Sequence, residues 1–74
     1  MVFFGCAYSN LTTLTGINFP PNVTELDCSN NQITSLEYCP KSVTELHCNN
    51  NQLASLEHCS ENIIKLDCNN NLLT

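Results

Sequence analysis

The sequence predicts an α/β-type repeat solenoid of mostly β content: a short parallel β-sheet on one wall and an extended or 3₁₀ far wall. Three observations predict it. The wording recurs every twenty residues, so Val23-Thr24-Glu25-Leu26-Asp27-Cys28 returns as Val43-Thr44-Glu45-Leu46-His47-Cys48 and again as Ile63-Ile64-Lys65-Leu66-Asp67-Cys68. Inside each unit Leu and Cys alternate with polar residues, the two-residue period of a strand with one buried face. Between these runs, no segment carries apolar residues at helical spacing for long enough to make an α-helix.

Taken in order, residues 1–22 form a degenerate first repeat. Phe4 takes the place of Leu26 and Cys6 that of Cys28, while Leu11 matches Ile33 and Leu14 matches Leu36. Cys6 and Cys28 are twenty-two residues apart, so a two-residue insertion is expected near Thr15-Gly16. Ser9 stands where later repeats have Asn. The opening Met1–Tyr8 is apolar but short and has no basic residue ahead of it, which favours a terminal repeat over a signal peptide. Residues 23–42 and 43–62 are complete repeats, and 63–74 are an incomplete one, all within a single domain spanning 1–74. Strands are expected at about 25–28, 45–48 and 65–68. Parallel strands stack about 4.8 Å apart, so equivalent side chains line up in ladders. Ile33, Leu53, Leu36 and Leu56 fill the core from the far wall.

Each unit reads apolar-x-x-Leu-x-Cys-x-x-Asn-x-apolar-x-x-Leu, and this pattern over residues 23–74 resembles the leucine-rich repeat, with Cys as its third apolar residue. The closing Leu is lost only from the last copy. A twenty-residue unit looks like the short repeats of bacterial effector proteins. The wording Leu26-Asp27-Cys28-Ser29-Asn30-Asn31-Gln32 looks like repeats of giant DNA viruses and some protists. The proline-rich link common in the bacterial repeats survives only at Pro20-Pro21 and Pro40. The resemblance implies that Asn31, Asn51 and Asn71 face inward, each amide satisfying backbone groups that the turn leaves unpaired. It also implies that the strand face binds protein.

Composition narrows the function. The 74 residues carry a net charge of −5 with only two cationic side chains, Lys41 and Lys65. Repulsion from phosphate argues against nucleic acid and anionic membranes as partners. No apolar run approaches the ~20 residues that span a bilayer. Gly5 and Gly16 are the only glycines, so no phosphate-cradling loop is present. The serines and two histidines do not form a nucleophile–base arrangement. The reading is a non-enzyme, with no cofactor expected.

Six cysteines in 74 residues approach the density of a disulfide scaffold, but their spacing argues for a different role. Cys6, Cys28, Cys48 and Cys68 share one repeat position, and Cys39 and Cys59 share another; both are apolar places in the template. Reduced thiols then act as small buried hydrophobes, with Cys28, Cys48 and Cys68 in one structural ladder. Disulfides along a column have a suitable Cα spacing but poorly disposed side-chain vectors. A tetrahedral metal site is ill served by ligands in a line. Reduced thiols imply a reducing compartment, the cytoplasm. The glycosylation triplets Asn10-Leu11-Thr12 and Asn22-Val23-Thr24 are set aside, because Leu11 and Val23 are expected core positions.

The outward strand residues make three columns: Glu25, Glu45 and Lys65; Asp27, His47 and Asp67; and Ser29, Asn49 and Asn69. Together they are the candidate protein-binding face. The ladder places His47 between two aspartates. Such a row could hold a divalent ion weakly, but the plainer reading is an exposed charge pairing, and no metal ligands are assigned. Beyond the protein-binding module, two other functions fit the pattern. One is a structural protein stacking end to end into homo-oligomers or filaments, because the last repeat shows no polar cap. The other is an adaptor whose catalytic part lies on a separate chain.

Overall fold

Leu-x-Cys alternation builds four short parallel strands in one sheet. The computed structural model describes residues 1–73; Thr74, the last residue of the expected incomplete repeat, lies outside them. Strands β1 (Phe3–Gly5), β2 (Glu25–Asp27), β3 (Glu45–His47) and β4 (Lys65–Asp67) lie in chain order. Leu26 pairs with Leu46 and Leu46 with Leu66, so successive coils are in register. Phe4 pairs with Leu26, which brings the degenerate first repeat into the same sheet. Each strand ends one residue earlier than the sequence suggests, with the Cys already in the turn.

The core lies between the sheet and the far wall. Val23, Leu26, Cys28, Ile33, Leu36, Val43, Leu46, Cys48 and Leu53 are all fully buried. Burying a side chain of Val or Leu size is worth about 1.5–3 kcal/mol each, and this removal of apolar surface from water drives folding. Leu11 is half-buried at the core margin. Among the described residues the far wall has no helix and no 3₁₀ segment; it runs extended between turns at 37–38 and 57–58. Each turn closes with a backbone bond, Cys39 N to Leu36 O at 3.0 Å and Cys59 N to Leu56 O at 3.1 Å. Its third residue has positive φ: 74° at Tyr38 and 70° at His58.

Gly16 has φ 77° and occupies this same place in the first coil, twenty-two residues before Tyr38. The frame is therefore still intact at Thr15-Gly16, which corrects the expected site of the insertion. The two extra residues fall between Ile17 and Val23. Phe19, within that stretch, packs edge-to-face on Phe4, with ring centroids 5.2 Å apart and planes at 67°. The insertion thus supplies an aromatic side chain that covers the first coil, a contact worth about 0.5–1.5 kcal/mol beyond its area.

Candidate binding face

The period-two alternation sends Glu25, Asp27, Glu45, His47, Lys65 and Asp67 to the outer face of the sheet. Cross-strand neighbours are Glu25 with Glu45, Glu45 with Lys65, Asp27 with His47 and His47 with Asp67. All six are half-buried except Lys65, which is exposed. Among the described residues Lys65 makes no ion pair.

His47 does not pair with the aspartates beside it. Its Nε2 lies 2.8 Å from Glu45 Oε2 and 3.6 Å from Glu25 Oε2. The aspartates have other commitments. Asp27 Oδ1 accepts a bond from Ser29 N at 3.1 Å, and Asp67 accepts from the amides of Asn49 and Asn69, both at 2.8 Å. These short carboxylates are drawn toward the turn, while the longer glutamates reach back to the imidazole. The expected Asp27/His47/Asp67 row stands in the backbone register, but the imidazole turns to a Glu25/Glu45/His47 cluster, whose ligand atoms all lie within 4.8 Å of one another.

Ser29 also departs from its expected place. It is buried, 6% exposed, and does not belong to the outer face. Strand alternation stops at Asp27, so the two-residue rule cannot be carried to position 29. The Ser29 hydroxyl accepts from Asn49 N at 3.2 Å, and Asn49 Oδ1 in turn accepts from Asn69 N at 3.0 Å. This column ties coil to coil. Asn49 is half-buried and Asn69 exposed.

The asparagines that follow the turn bind the backbone on both sides. The Asn51 amide donates to Cys28 O, Cys48 O and Asn49 O, and its Oδ1 accepts from Ile33 N at 3.0 Å. Asn71 repeats this one coil later, donating to Cys48 O, Cys68 O and Asn69 O and accepting from Leu53 N. Asn31 donates to Cys6 O, Cys28 O and Ser29 O and accepts from Ser9 N and Leu11 N. Among the described residues no buried side-chain nitrogen or oxygen lacks a partner.

The family model described as Leucine Rich repeats (2 copies) matches residues 21–58. The chain belongs to the leucine-rich repeat family. Curated proteins and solved structures offer no match to it. Leucine-rich repeats commonly mediate protein–protein interaction, and the family is generally non-enzymatic.

In this leucine-rich repeat chain all six thiols are free. Cys28 and Cys48 are fully buried, Cys39 is 4% exposed, and Cys6, Cys59 and Cys68 are half-buried. Burial pushes the Cys48 thiol up to about 12, with Cys68 adding to the shift, and the Cys39 thiol up to about 11, with Cys59 adding. Cys28 is raised further by burial and by its neighbour Cys48. These thiols are poor nucleophiles and act as packing groups. On the far wall, Thr34, Ser35, Ala54, Ser55, Glu57 and His58 line a shallow open groove of about 220 Å³. No helix is long and apolar enough to cross a membrane among the described residues.

Proposed function

We propose that this chain is a non-enzymatic protein-binding module that engages its partner through the outer face of the sheet, around Glu25, Asp27, Glu45, His47, Asn49, Lys65, Asp67 and Asn69. The observation that carries this reading is the in-register sheet face of a family that commonly binds protein. Strands β2 and β3, each paired on both sides, hold Glu25, Asp27, Glu45 and His47 at fixed spacing, so little ordering entropy is lost on contact. The face is mostly acidic with one lysine, which suits a partner with a basic patch. Reduced, high-pKa thiols suit a reducing compartment, and we place the protein's action in the cytoplasm.

Photo-crosslinking tests the reading. A photoreactive residue at Asp27 should capture one discrete partner, and the same residue at Glu37 on the far wall should not. Glu45→Lys should abolish capture from Asp27. Equal capture from both walls would overturn the reading.

A second reading, end-to-end stacking, is favoured by one observation. Ile64, Leu66, Leu72 and Leu73, in the coil that carries strand β4, are 86%, 40%, 62% and 37% exposed. Light scattering across a concentration series, followed by electron microscopy of the largest species, decides it: a constant monomer mass eliminates stacking, and long regular fibres establish it.

A further inference from the structure

We propose that Glu25, Glu45 and His47 bind a divalent transition-metal ion on the outer sheet face. This goes beyond the protein-binding reading and does not depend on it. The site arises from strand geometry. Glu25 and Glu45 are cross-strand neighbours on β2 and β3, and His47 follows Glu45 by two residues, on the same face. One imidazole nitrogen and two carboxylates therefore converge from two strands of a fixed sheet.

Distances favour a common ion. Ligand atoms each about 2.1 Å from one metal lie roughly 3.0–3.4 Å from each other in octahedral or tetrahedral sites. His47 Nε2 is hydrogen-bonded to Glu45 Oε2 at 2.8 Å and lies 3.6 Å from Glu25 Oε2, on either side of that range, so an ion bound here takes the place of the proton between imidazole and carboxylate. All three ligand atoms lie within 4.8 Å, so a small side-chain rotation closes the set. Charge favours it as well. Like charges directly opposite on neighbouring strands repel. Among the described residues neither glutamate has a lysine within ion-pair distance, and Lys65, the next residue in the column, makes no such contact. His47 is the one cationic partner the two glutamates have among the described residues, and a dication balances two carboxylates where one imidazolium cannot. The imidazole selects a transition metal over Mg²⁺ or Ca²⁺, which prefer oxygen ligands alone. Three protein ligands on a half-exposed face leave coordination positions open to water or to a partner's side chain. Asp27 and Asp67 are excluded by their bonds to Ser29, Asn49 and Asn69.

Co²⁺ is the probe, because thiolate ligation announces itself as charge-transfer absorption and the ion broadens nearby resonances. The ¹⁵N-labelled, reduced full chain is titrated at neutral pH and followed by NMR and absorption. Broadening should centre on the amides of Glu25, Glu45 and His47, without thiolate bands. Glu25→Gln, Glu45→Gln and His47→Gln should each weaken binding about 10–100-fold, the scale of losing a metal-supporting group. Glu37→Gln, on the far wall, should leave it unchanged. Broadening centred on the cysteines, spread evenly over the acidic residues, or absent altogether would overturn the site, as would a Glu37→Gln loss equal to that of Glu45→Gln. The broadening map uses the unaltered chain, so it decides the question even where a variant fails to fold.

Discussion

At Asn51 a single side chain makes four hydrogen bonds to backbone, three of them to residues that are fully buried. Its amide donates to Cys28 O and Cys48 O, both on fully buried residues, and its Oδ1 holds the N–H of fully buried Ile33. Truncation leaves these groups unpaired, at about 1–3 kcal/mol for each buried group. Asn51→Ala should therefore destabilise the protein by about 3 kcal/mol in urea unfolding. Asn71→Ala removes the same bonds from a half-buried side chain. Water can replace them there, and the loss should be about 1 kcal/mol. His47→Ala removes only a half-exposed charge contact and should change stability by less than about 0.5 kcal/mol. Equal losses at Asn51 and His47 would mean that inside and outside have been assigned wrongly.

At the scale of the element, the far-wall turns show where sequence and conformation disagree. Tyr38 and His58 hold positive φ, which costs a residue with a Cβ roughly 1–2 kcal/mol, whereas Gly16 holds it without strain. Tyr38→Gly should gain about 1 kcal/mol, net of the extra entropy glycine has when unfolded, and raise Tm by about 5 °C. No atom lies within 4 Å of the place a Gly16 Cβ would occupy, so Gly16→Ala tests conformation alone. It should cost about 1 kcal/mol. A stabilising Gly16→Ala, read by thermal unfolding, would overturn this account. The strands were legible in the sequence because Leu26, Leu46 and Leu66 repeat at a spacing that also sets their register. The insertion was not, because Thr15-Gly16 looks like a break until the φ of Gly16 is matched with that of Tyr38. Neither was the partner of His47: register names the neighbours of a side chain, but side-chain length and competing bonds decide which of them it meets. Ser29 was missed for a related reason, since alternation holds only while the strand does.

The whole molecule is held by a core rich in thiols, and this sets its response to alkali. A cysteine in the unfolded chain titrates near its ordinary value of 9.0, while burial keeps Cys39 protonated to about 11 and Cys48 to about 12, with Cys28 raised in the same direction. Above pH 9 the unfolded chain has released protons that the folded chain retains. Stability is thus fully present below pH 9 and falls as pH rises toward the folded-state values. Each such thiol contributes about 1.4 kcal/mol per pH unit, so Cys28, Cys39 and Cys48 together give about 4 kcal/mol per unit between pH 9 and 11. A chain of this length has a total stability of roughly 4–11 kcal/mol. Between pH 9 and 11 the reduced protein should therefore lose about 8 kcal/mol, enough to unfold it cooperatively wherever its stability at pH 7 is below that figure, with no matching loss between pH 7 and 8.5. Urea titrations at half-unit intervals measure the slope, and Cys48→Ala should lower it by about a third whatever it does to stability at pH 7. A slope under about 1 kcal/mol per pH unit would show that the thiols ionise in place and that water reaches the core around Cys28 and Cys48.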